Sequence, residues 1–508
     1  MNVFFRIGFA ENDDTVMALI ASGKYGGTPD NHLVFINMIY GTFLNIFYYL
    51  FPSIEWYTIM IIFLNLLSTS LISWRIVESH QSKHVKAVFL LFLIMVSVYI
   101  NVHMQFTVTA GVLAIAGVMF LNEPLKRLKY IGVACFVLGS LIRFEAAFLV
   151  LIITAPIFMI ETIKRKKVYF DTKTKFLIVA VIISLGSKAI DYAYYNANDE
   201  WSYFQKFNKI RGEINDNPNT RMVLYGLPET VSKEDYESIL SFFINQKLIN
   251  YDILKDLHKA VNNVPSFTKI RNLYFLRYYS FPIFLIMIFV LIVNYSSKIK
   301  KSEKNIISLL SFVFVGILCF IAFNAMVKYR VFFTAITALV FGLFMVVPRI
   351  SFVNVKRMLL VVVLLITGYL YEAFSQTYID KQFLQQVYGV QKENIDQYLQ
   401  NNNKKLVVYG GDYQIFGGDP FTISKDFPED RIFFNGWLTY IPFNENRFDS
   451  FKYFTKDHGL IVLRRNYEQA LNQVQKGILS ETGKTVTPKI THESLFGFIV
   501  EFSEDKAR

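Results

Sequence analysis

The sequence predicts a mainly α-helical, polytopic membrane protein with a C-terminal α/β domain. Hydrophobic residues make up 53% of the 508 residues and charged residues only 18%, whereas soluble proteins contain about 25% charged residues. Long apolar runs, separated by short basic loops, recur between residues 56 and 372. These features exclude a soluble enzyme and a disordered chain, because so much apolar surface requires a lipid environment.

Ten apolar runs are each expected to form a spanning helix, with flanking residues completing the length of about 20 residues that a bilayer requires. The runs are 56–74, 87–101, 107–121, 130–142, 146–160, 176–190, 280–295, 306–323, 331–348 and 358–372. Residues 33–51 are a further apolar stretch, which either spans the membrane or lies along its surface as an amphipathic helix. We therefore expect about 10 to 12 spans.

The net charge of +12 is concentrated between these runs, which indicates membrane orientation and contact with lipids, not nucleic-acid binding. The basic residues on one side of the predicted bundle are Arg75, Lys83, Lys86, Lys126, Arg127, Lys129, residues 164–167, Lys173, Lys175, Lys298, Lys300, Lys301, Lys304, Arg349, Lys356 and Arg357. The positive-inside rule assigns this side to the cytoplasm of a multi-pass cell-membrane protein. Residues 1–52, 191–279 and 372–508 are then expected to be extracytoplasmic.

Three domains are predicted: a first outer loop at 1–55, the bundle at 56–372 with its outer loop at 191–279, and a C-terminal domain at 373–508. The opening sequence MNVFFRIGF is typical of the end of a helix, so we expect a truncated start or a missing first spanning helix. Cys135 and Cys319 both lie in apolar runs, which excludes a disulfide framework and a cysteine-ligated metal site.

The C-terminal domain alternates two kinds of segment. Its β-like runs lie at 405–410, 431–436, 459–465 and 496–503, and its helical stretches lie near 378–402 and 466–482. Strands that alternate with helices predict a small α/β fold.

The candidate catalytic acids are Asp13 and Asp14, within a polar cluster that begins at Glu11. Adjacent carboxylates repel each other and raise the pKa of one of them, which suits a general base toward a sugar hydroxyl. The alternative is that Asp13 or Asp14 caps the helix that follows. Adjacent helical side chains diverge by about 100°, so we expect one acid to be the base and the other to cap the helix or orient His32 or Lys24.

The segment ENDDTVMALIASGKYGGTPDNHLVFINMIYG, continuing to FPSIEWY at 51–57, resembles the first outer loop of GT-C fold glycosyltransferases. Its DD…SG.Y.G.PD.H pattern is similar to that of a group of uncharacterised bacterial cell-envelope polysaccharide proteins. The resemblance implies a GT-C-like bundle and Asp13 or Asp14 as catalytic base. It also implies a polyprenyl-phosphate sugar donor and a polysaccharide or glycolipid acceptor at the outer face. The expected departure from the family is at the start of the sequence, where we expect the usual first spanning helix to be truncated or missing.

Three cations on the predicted outer side, Arg143, Lys328 and Arg330, are candidates for binding the donor phosphate. A guanidinium pairs well with phosphate oxygens, and charges at membrane depth normally face an interior or a water-filled cavity. For Arg143 the alternative is a structural pair with Glu145 that locks a helical hairpin. For Lys328 and Arg330 the alternative is snorkelling to lipid headgroups.

The remaining candidate substrate-binding residues are Glu11, Lys24, Asp30, His32, His103, Glu145 and Arg211. His32 and His103 could join a carboxylate around a divalent cation, but ordinary hydrogen-bonded turn histidines are the alternative. No metal ligands are assigned and the cofactor requirement is left open. Around Arg211, the strings FNKIR at 207–211 and DNP at 216–218 resemble the same polysaccharide group.

Two other functions are considered beside the glycosyltransferase. A polysaccharide polymerase or ligase would also have many spans and a large outer loop, and would depend more on Arg211 than on Asp13. A lipid-linked-saccharide transporter or flippase would be expected to contain inverted repeats and discontinuous helices. The sequence contains no evident symmetry of that kind.

Overall fold

The computed structural model describes residues 7–505 apart from 166–170, 242, 245–248, 265, 298, 350–352, 412, 417 and 445–449. The first helices are α1 (Asn12–Ala21), α2 (Met38–Leu50), α3 (Trp56–Glu78), α4 (Lys83–Val102), α5 (Phe106–Leu121), α6 (Lys126–Ile142), α7 (Phe144–Arg165) and α8 (Thr172–Asn196). The next are α9 (Asp199–Asn215), α10 (Lys233–Leu240), α11 (Tyr251–Asn262), α12 (Ser266–Arg271), α13 (Ser280–Tyr295), α14 (Lys301–Asn324), α15 (Tyr329–Val346) and α16 (Val353–Asn401). The last are α17 (Ile423–Asp426) and α18 (Tyr467–Thr482).

The helical, polytopic character predicted from the sequence is confirmed, since helix accounts for 73% of the structure. Each of the ten predicted runs coincides with a helix. Seven helices among the described residues are long and apolar enough to cross a membrane. The other three predicted spans coincide with α5, α6 and the apolar part of α7 at Phe144–Met159, which are shorter. Three of the predicted cytoplasmic residues, Lys166, Lys167 and Lys298, lie outside the described residues.

Within the apolar stretch at 33–51, Met38–Leu50 forms the helix α2, which has 13 residues. At 1.5 Å per residue this helix is about 20 Å long, which is shorter than the hydrocarbon core of about 30 Å. Its exposed side chains include Phe43, Ile46 and Tyr49. The helix therefore fits the surface-lying alternative better than the spanning one.

Helix α5 lies at the centre of the bundle, with all of its residues buried. It packs closely against α6 through glycines on both helices. A Cβ atom on Gly117 would lie 2.7 Å from the Phe136 nitrogen, and one on Gly132 would lie 2.7 Å from the Leu121 nitrogen. Small residues allow such backbone approach between membrane helices, so these glycines fix the position of α5, whose N-terminus reaches the site described below.

The C-terminal domain is built on a five-stranded mixed sheet. Its strands are β3 (Lys405–Val408), β4 (Ile432–Phe434), β5 (His458–Leu463), β6 (Val486–Glu493) and β7 (Gly497–Glu504), and their order in the sheet is β4-β3-β5-β7-β6. A separate parallel pair is formed by β1 (Gly8–Phe9) and β2 (His103–Met104). Strands β4, β3 and β5 are parallel to one another. Strand β7 runs antiparallel to both of its neighbours, β5 and β6. The four predicted strands and the helix near 466–482 are confirmed; β6 was not predicted.

The C-terminal domain and residues 7–57 share one hydrophobic core, which contains α1, Tyr25 and strands β3 to β5. Two polar contacts fix this interface. The buried carboxylate of Glu55 accepts hydrogen bonds from the Ser424 backbone and hydroxyl, both at 2.7 Å, and the Tyr25 hydroxyl donates to Asn444 at 2.7 Å. Helix α16 runs without interruption across the predicted boundary at residue 372. The predicted first loop is thus packed between the bundle and the C-terminal domain.

Candidate functional site

A cavity of about 1400 Å³ lies where the start of α1, the ends of several bundle helices, α9 and the C-terminal domain meet. Its wall contains the candidate residues Glu11, Asp13, Arg143, Glu145, Arg211, Lys328 and Arg330. Within the described residues, seven lysines and arginines line this cavity against five carboxylates. The structure therefore brings most of the sequence-predicted residues to one cationic chamber.

The first turn of α1 separates the two candidate acids. The side chain of Asp13 is 16% exposed and lines the cavity, whereas Asp14 is fully buried and does not line it. Neither acid is the N-cap of α1: that residue is Glu11, whose side chain makes no capping hydrogen bond. The expectation that the two side chains diverge is met, and Asp13 is the acid that is accessible from the cavity.

Asp14 stabilises a different helix from its own. Its Oδ1 accepts hydrogen bonds from the Tyr57 hydroxyl at 2.8 Å and from the Phe106 backbone nitrogen, the first of α5, at 3.1 Å. Its Oδ2 is buried without a hydrogen-bond partner among the described residues. Burial raises the pKa of Asp14 to about 8, although the bonds from Tyr57 and Phe106 oppose this shift. A largely neutral carboxyl that caps α5 is therefore expected at neutral pH.

Asp13 shares a counterion with Glu11. Arg330 Nη1 lies 3.6 Å from Asp13 Oδ2 and 3.5 Å from Glu11 Oε1. The guanidinium belongs to the first turn of α15, where the helix dipole disfavours a cation. The two carboxylates offset that cost and hold the guanidinium at the cavity wall.

Lys328 precedes α15 and contacts Asp216 Oδ1 at 2.9 Å. Asp216 follows α9, and both residues line the cavity. The sequence suggested that a lipid phosphate would compensate Lys328 and Arg330. In the structure, carboxylates of the chain itself lie next to both cations.

Arg143 is the only residue between α6 and α7. Its Nε lies 2.9 Å from Glu145 Oε2, and its Nη1 donates to the Phe35 carbonyl at 3.4 Å. The guanidinium carbon is 5.4 Å from the Phe35 ring centroid and 5.7 Å from that of Phe106. The predicted Arg143–Glu145 pair is present, and because Arg143 also lines the cavity, the structural and phosphate-binding interpretations are compatible.

Arg211 projects from α9 into the cavity wall and is buried. Its Nε and Nη2 both donate to Asn208 Oδ1, at 3.2 and 2.8 Å, and its Nη1 donates to Asn215 Oδ1 at 3.3 Å. Burial lowers the pKa of Arg211 to about 10, so the guanidinium is charged at neutral pH. Two neutral amides thus orient a buried cation at the cavity.

Two candidates from the first loop, Lys24 and His32, lie away from the cavity. Lys24 forms an exposed ion pair with Glu429. His32 Nδ1 lies 2.6 Å from Asp30 Oδ1, and its ring stacks on Trp201 at 4.2 Å between centroids. The suggestion that Asp14 orients Lys24 or His32 is therefore wrong.

His103 also lies away from the cavity, in the tight turn between α4 and α5. It is buried, with its ring centroid 5.3 Å from those of Tyr99 and Phe374. The imidazole of His32, by contrast, contacts Asp30 and Trp201. In the part of the chain that the structure describes, no group of three His, Cys, Asp or Glu residues is arranged to hold a metal ion.

Sequence reasoning did not single out several residues of the cavity wall. These are the cations Lys188 and Lys269, the imidazole of His258, the backbone of Gly411, the indole of Trp437, and apolar side chains of α7 and α14 such as Ile152, Ile317 and Phe320. Asn12 Nδ2 donates to the Gly411 carbonyl at 2.8 Å, which ties the start of α1 to the C-terminal domain.

The comparisons with known proteins add no relative to this description. No protein-family model, no curated protein and no solved structure matches the chain.

Proposed function

We propose that the protein is an integral-membrane glycosyltransferase of GT-C type. It transfers a sugar from a polyprenyl-phosphate donor to a hydroxyl of a cell-envelope polysaccharide or glycolipid at the outer face of the membrane. The observation that supports this proposal best is the position of Asp13, whose carboxylate faces a cavity with a surplus of cations. A base and an anion-binding wall in one chamber are what such a transfer requires.

Asp13 takes the proton of the acceptor hydroxyl as the acceptor oxygen bonds to the anomeric carbon of the donor. The bond between that carbon and the phosphate oxygen breaks, and the polyprenyl phosphate leaves with the bonding electron pair. Arg330 and Arg143 stabilise the charge that develops on the leaving phosphate. An incoming phosphate competes with Asp13 for Arg330, which releases the carboxylate for its role as base.

The wall of the cavity is amphipathic, as a lipid-linked donor requires. Ile152 of α7 and Phe320 of α14 line the cavity and are also 50% and 71% exposed on the protein surface. Helix α14 is among the candidate spans. A polyprenyl chain can therefore remain in contact with apolar side chains while its phosphate reaches the cations.

The test is sugar transfer in membranes from a radiolabelled polyprenyl-phosphate sugar, at matched protein level. Asp13→Asn should lower the rate about 10²–10⁴-fold, as expected for loss of a general base. Asp14→Asn is the matched control, because asparagine keeps an oxygen that accepts from Tyr57 and Phe106; it should remain close to normal. Full transfer activity in both variants would show that the proposed mechanism is wrong.

A polymerase or ligase remains the second candidate, because Arg211 lies in the same cavity and is oriented by Asn208 and Asn215. In that case Arg211→Lys should abolish the growth or attachment of a preformed chain, since lysine lacks the planar fork of arginine. Asp13→Asn should then have little effect. The pair of variants therefore separates the two functions when sugar transfer and the growth or attachment of a preformed chain are measured side by side.

A further inference from the structure

A second cavity, of about 640 Å³, lies at the edge of the C-terminal sheet. Strands β3 and β5 are parallel neighbours, so their carboxyl ends meet at this edge. Tyr409, Gly410 and Gly411 follow β3, whereas Arg465 and Asn466 follow β5, and all five line the cavity. In open sheets with parallel strands, ligands bind in the crevice outside the carboxyl ends.

The opposite wall comes from the segment between α9 and α11. It contains Arg221, Leu224, Tyr236, Glu237, Leu240 and Ser241. Gln473 of α18 holds the two walls together, since its Nε2 donates to Ser241 Oγ at 2.9 Å and its Oε1 accepts from the Tyr409 hydroxyl at 2.8 Å. The crevice is therefore a built feature that joins two parts of the chain.

The charge of this crevice favours an anion. Arg221 and Arg465 are exposed at its rim. Among the described residues that line it, Glu237 is the only carboxylate, and it lies 3.8 Å from Lys233 Nζ. Two guanidinium groups with their donors in planar forks suit a carboxylate or a phosphate.

The remaining polar groups suit the hydroxyls of a sugar. The side chains of Ser241, Asn466 and Gln469 supply donors and acceptors along the crevice. Gly411 lines both cavities and bonds to Asn12, the neighbour of Asp13. A chain that occupies the second cavity can thus continue past Gly411 toward the proposed base.

We propose that the second cavity binds an anionic segment of the acceptor glycan, with a carboxylate or phosphate of that segment on Arg221 and Arg465. The bound segment directs the acceptor hydroxyl into the first cavity. The assignment to the acceptor rests on the proposed glycosyltransferase function, whereas binding of an anionic glycan at these arginines does not.

The test is direct binding of oligosaccharides to the purified full-length protein in detergent. The probes are a uronic acid oligomer, a sugar-phosphate oligomer and a neutral oligomer of the same length. Arg221→Gln and Arg465→Gln should each weaken binding of a charged probe about 10-fold or more, as loss of a charged hydrogen bond predicts. Lys456→Gln is the matched control, because it removes one positive charge from an exposed site of the same domain outside both cavities.

Preference for either charged probe over the neutral one, lost in both arginine variants, supports the proposal and identifies the anion as carboxylate or phosphate. Equal binding of charged and neutral probes, no binding of any probe, or unchanged binding in the arginine variants overturns it. Asp13→Asn should bind the charged probe as the wild type does. If Asp13→Asn is inactive while the arginine variants bind normally, only this inference fails. If Asp13→Asn keeps full transfer activity while the arginine variants lose binding, the glycosyltransferase proposal and the assignment to the acceptor fail, whereas the binding of an anionic glycan at these arginines stands.

Discussion

Asp13 Oδ2 lies 3.6 Å from Arg330 Nη1, a separation at which the two groups attract each other without a direct hydrogen bond. Both side chains are largely but not completely buried, at 16% and 19% exposure. The pair is thus loose enough for a phosphate oxygen to enter beside the guanidinium. The contact between Asp13 and Arg330 thus links the proposed base to the proposed donor site.

Arg330→Gln should lower donor use, measured as kcat/KM for the polyprenyl-phosphate sugar, by about 10- to 100-fold, because a charge-assisted hydrogen bond to the phosphate is lost. Arg330→Lys should recover part of this loss, since it keeps the charge but not the fork. Arg277→Gln is the charge-matched control: Arg277 packs over the rings of Tyr274 and Tyr278, outside the cavity. Equal losses of protein level and of activity in Arg330→Gln would favour a structural role instead.

The raised pKa of Asp14 should make the folding stability of the protein depend on pH. The folded-state pKa of about 8 lies above the ordinary value of 3.8, so between these values the folded protein binds more protons than the unfolded chain. Folding stability should therefore fall as pH rises from 5 to 8, by at most about 1.4 kcal/mol per pH unit from this group. Asp14→Asn removes the titration. The thermal stability of the variant relative to wild type, measured in detergent, should increase steadily from pH 5 to pH 8.

Other groups titrate in this range, but they are common to both proteins and cancel in the difference. A difference between wild type and Asp14→Asn that is constant from pH 5 to 8 would contradict the buried, proton-binding carboxyl. The variant should retain its fold, because its amide oxygen can accept from Tyr57 and Phe106 as the carboxyl oxygen does.

The interface between the first loop and the C-terminal domain offers a contrast between a buried and an exposed carboxylate. Glu55→Ala should destabilise the protein by about 3 kcal/mol, since it removes two buried hydrogen bonds to Ser424. Glu429→Ala removes only the exposed pair with Lys24 and should cost less than about 1 kcal/mol. Limited proteolysis and thermal unfolding measure both. Similar effects of the two substitutions would contradict the assigned role of Glu55.

The sequence predicts the helices of the bundle well because each apolar run is long enough to be recognised as a candidate span. It does not reveal strand β6, half of whose residues are exposed and which contains Pro488 at the edge of the sheet. An edge strand of this kind lacks the apolar alternation by which strands are recognised. The shared core of α1 and the C-terminal sheet is also hidden from the sequence, because it joins residues separated by almost the whole chain.

Contacts between residues far apart in the sequence also determine the candidate site around Asp13. The sequence identifies Asp13 and Asp14 together, but their different environments depend on Tyr57 and Phe106, which are 43 and 92 residues from Asp14. Lys209 and Asp216 also line the first cavity, and they lie in the segments 207–211 and 216–218, whose resemblance to the polysaccharide group the sequence shows. Lys188, by contrast, lies in an apolar helix without any local signal.

The cavity and the basic loops should lie on opposite sides of the membrane. Helix α14 begins at Lys301 and ends at Asn324, which lines the first cavity. At 1.5 Å per residue, Lys301 therefore lies about 35 Å from the end of the helix at the cavity. The basic residues near Lys301 and Lys83 are expected in the cytoplasm by the positive-inside rule.

Single cysteines test this orientation, in a background with Cys135→Ala and Cys319→Ala. Lys233→Cys and Lys456→Cys replace exposed residues of the large segments, and Lys83→Cys and Lys301→Cys replace exposed residues of the basic loops. A membrane-impermeant maleimide should label the first two in intact cells and the last two only after the membrane is opened. The opposite pattern would place the cavity on the cytoplasmic side, where an extracytoplasmic polysaccharide acceptor cannot reach Asp13.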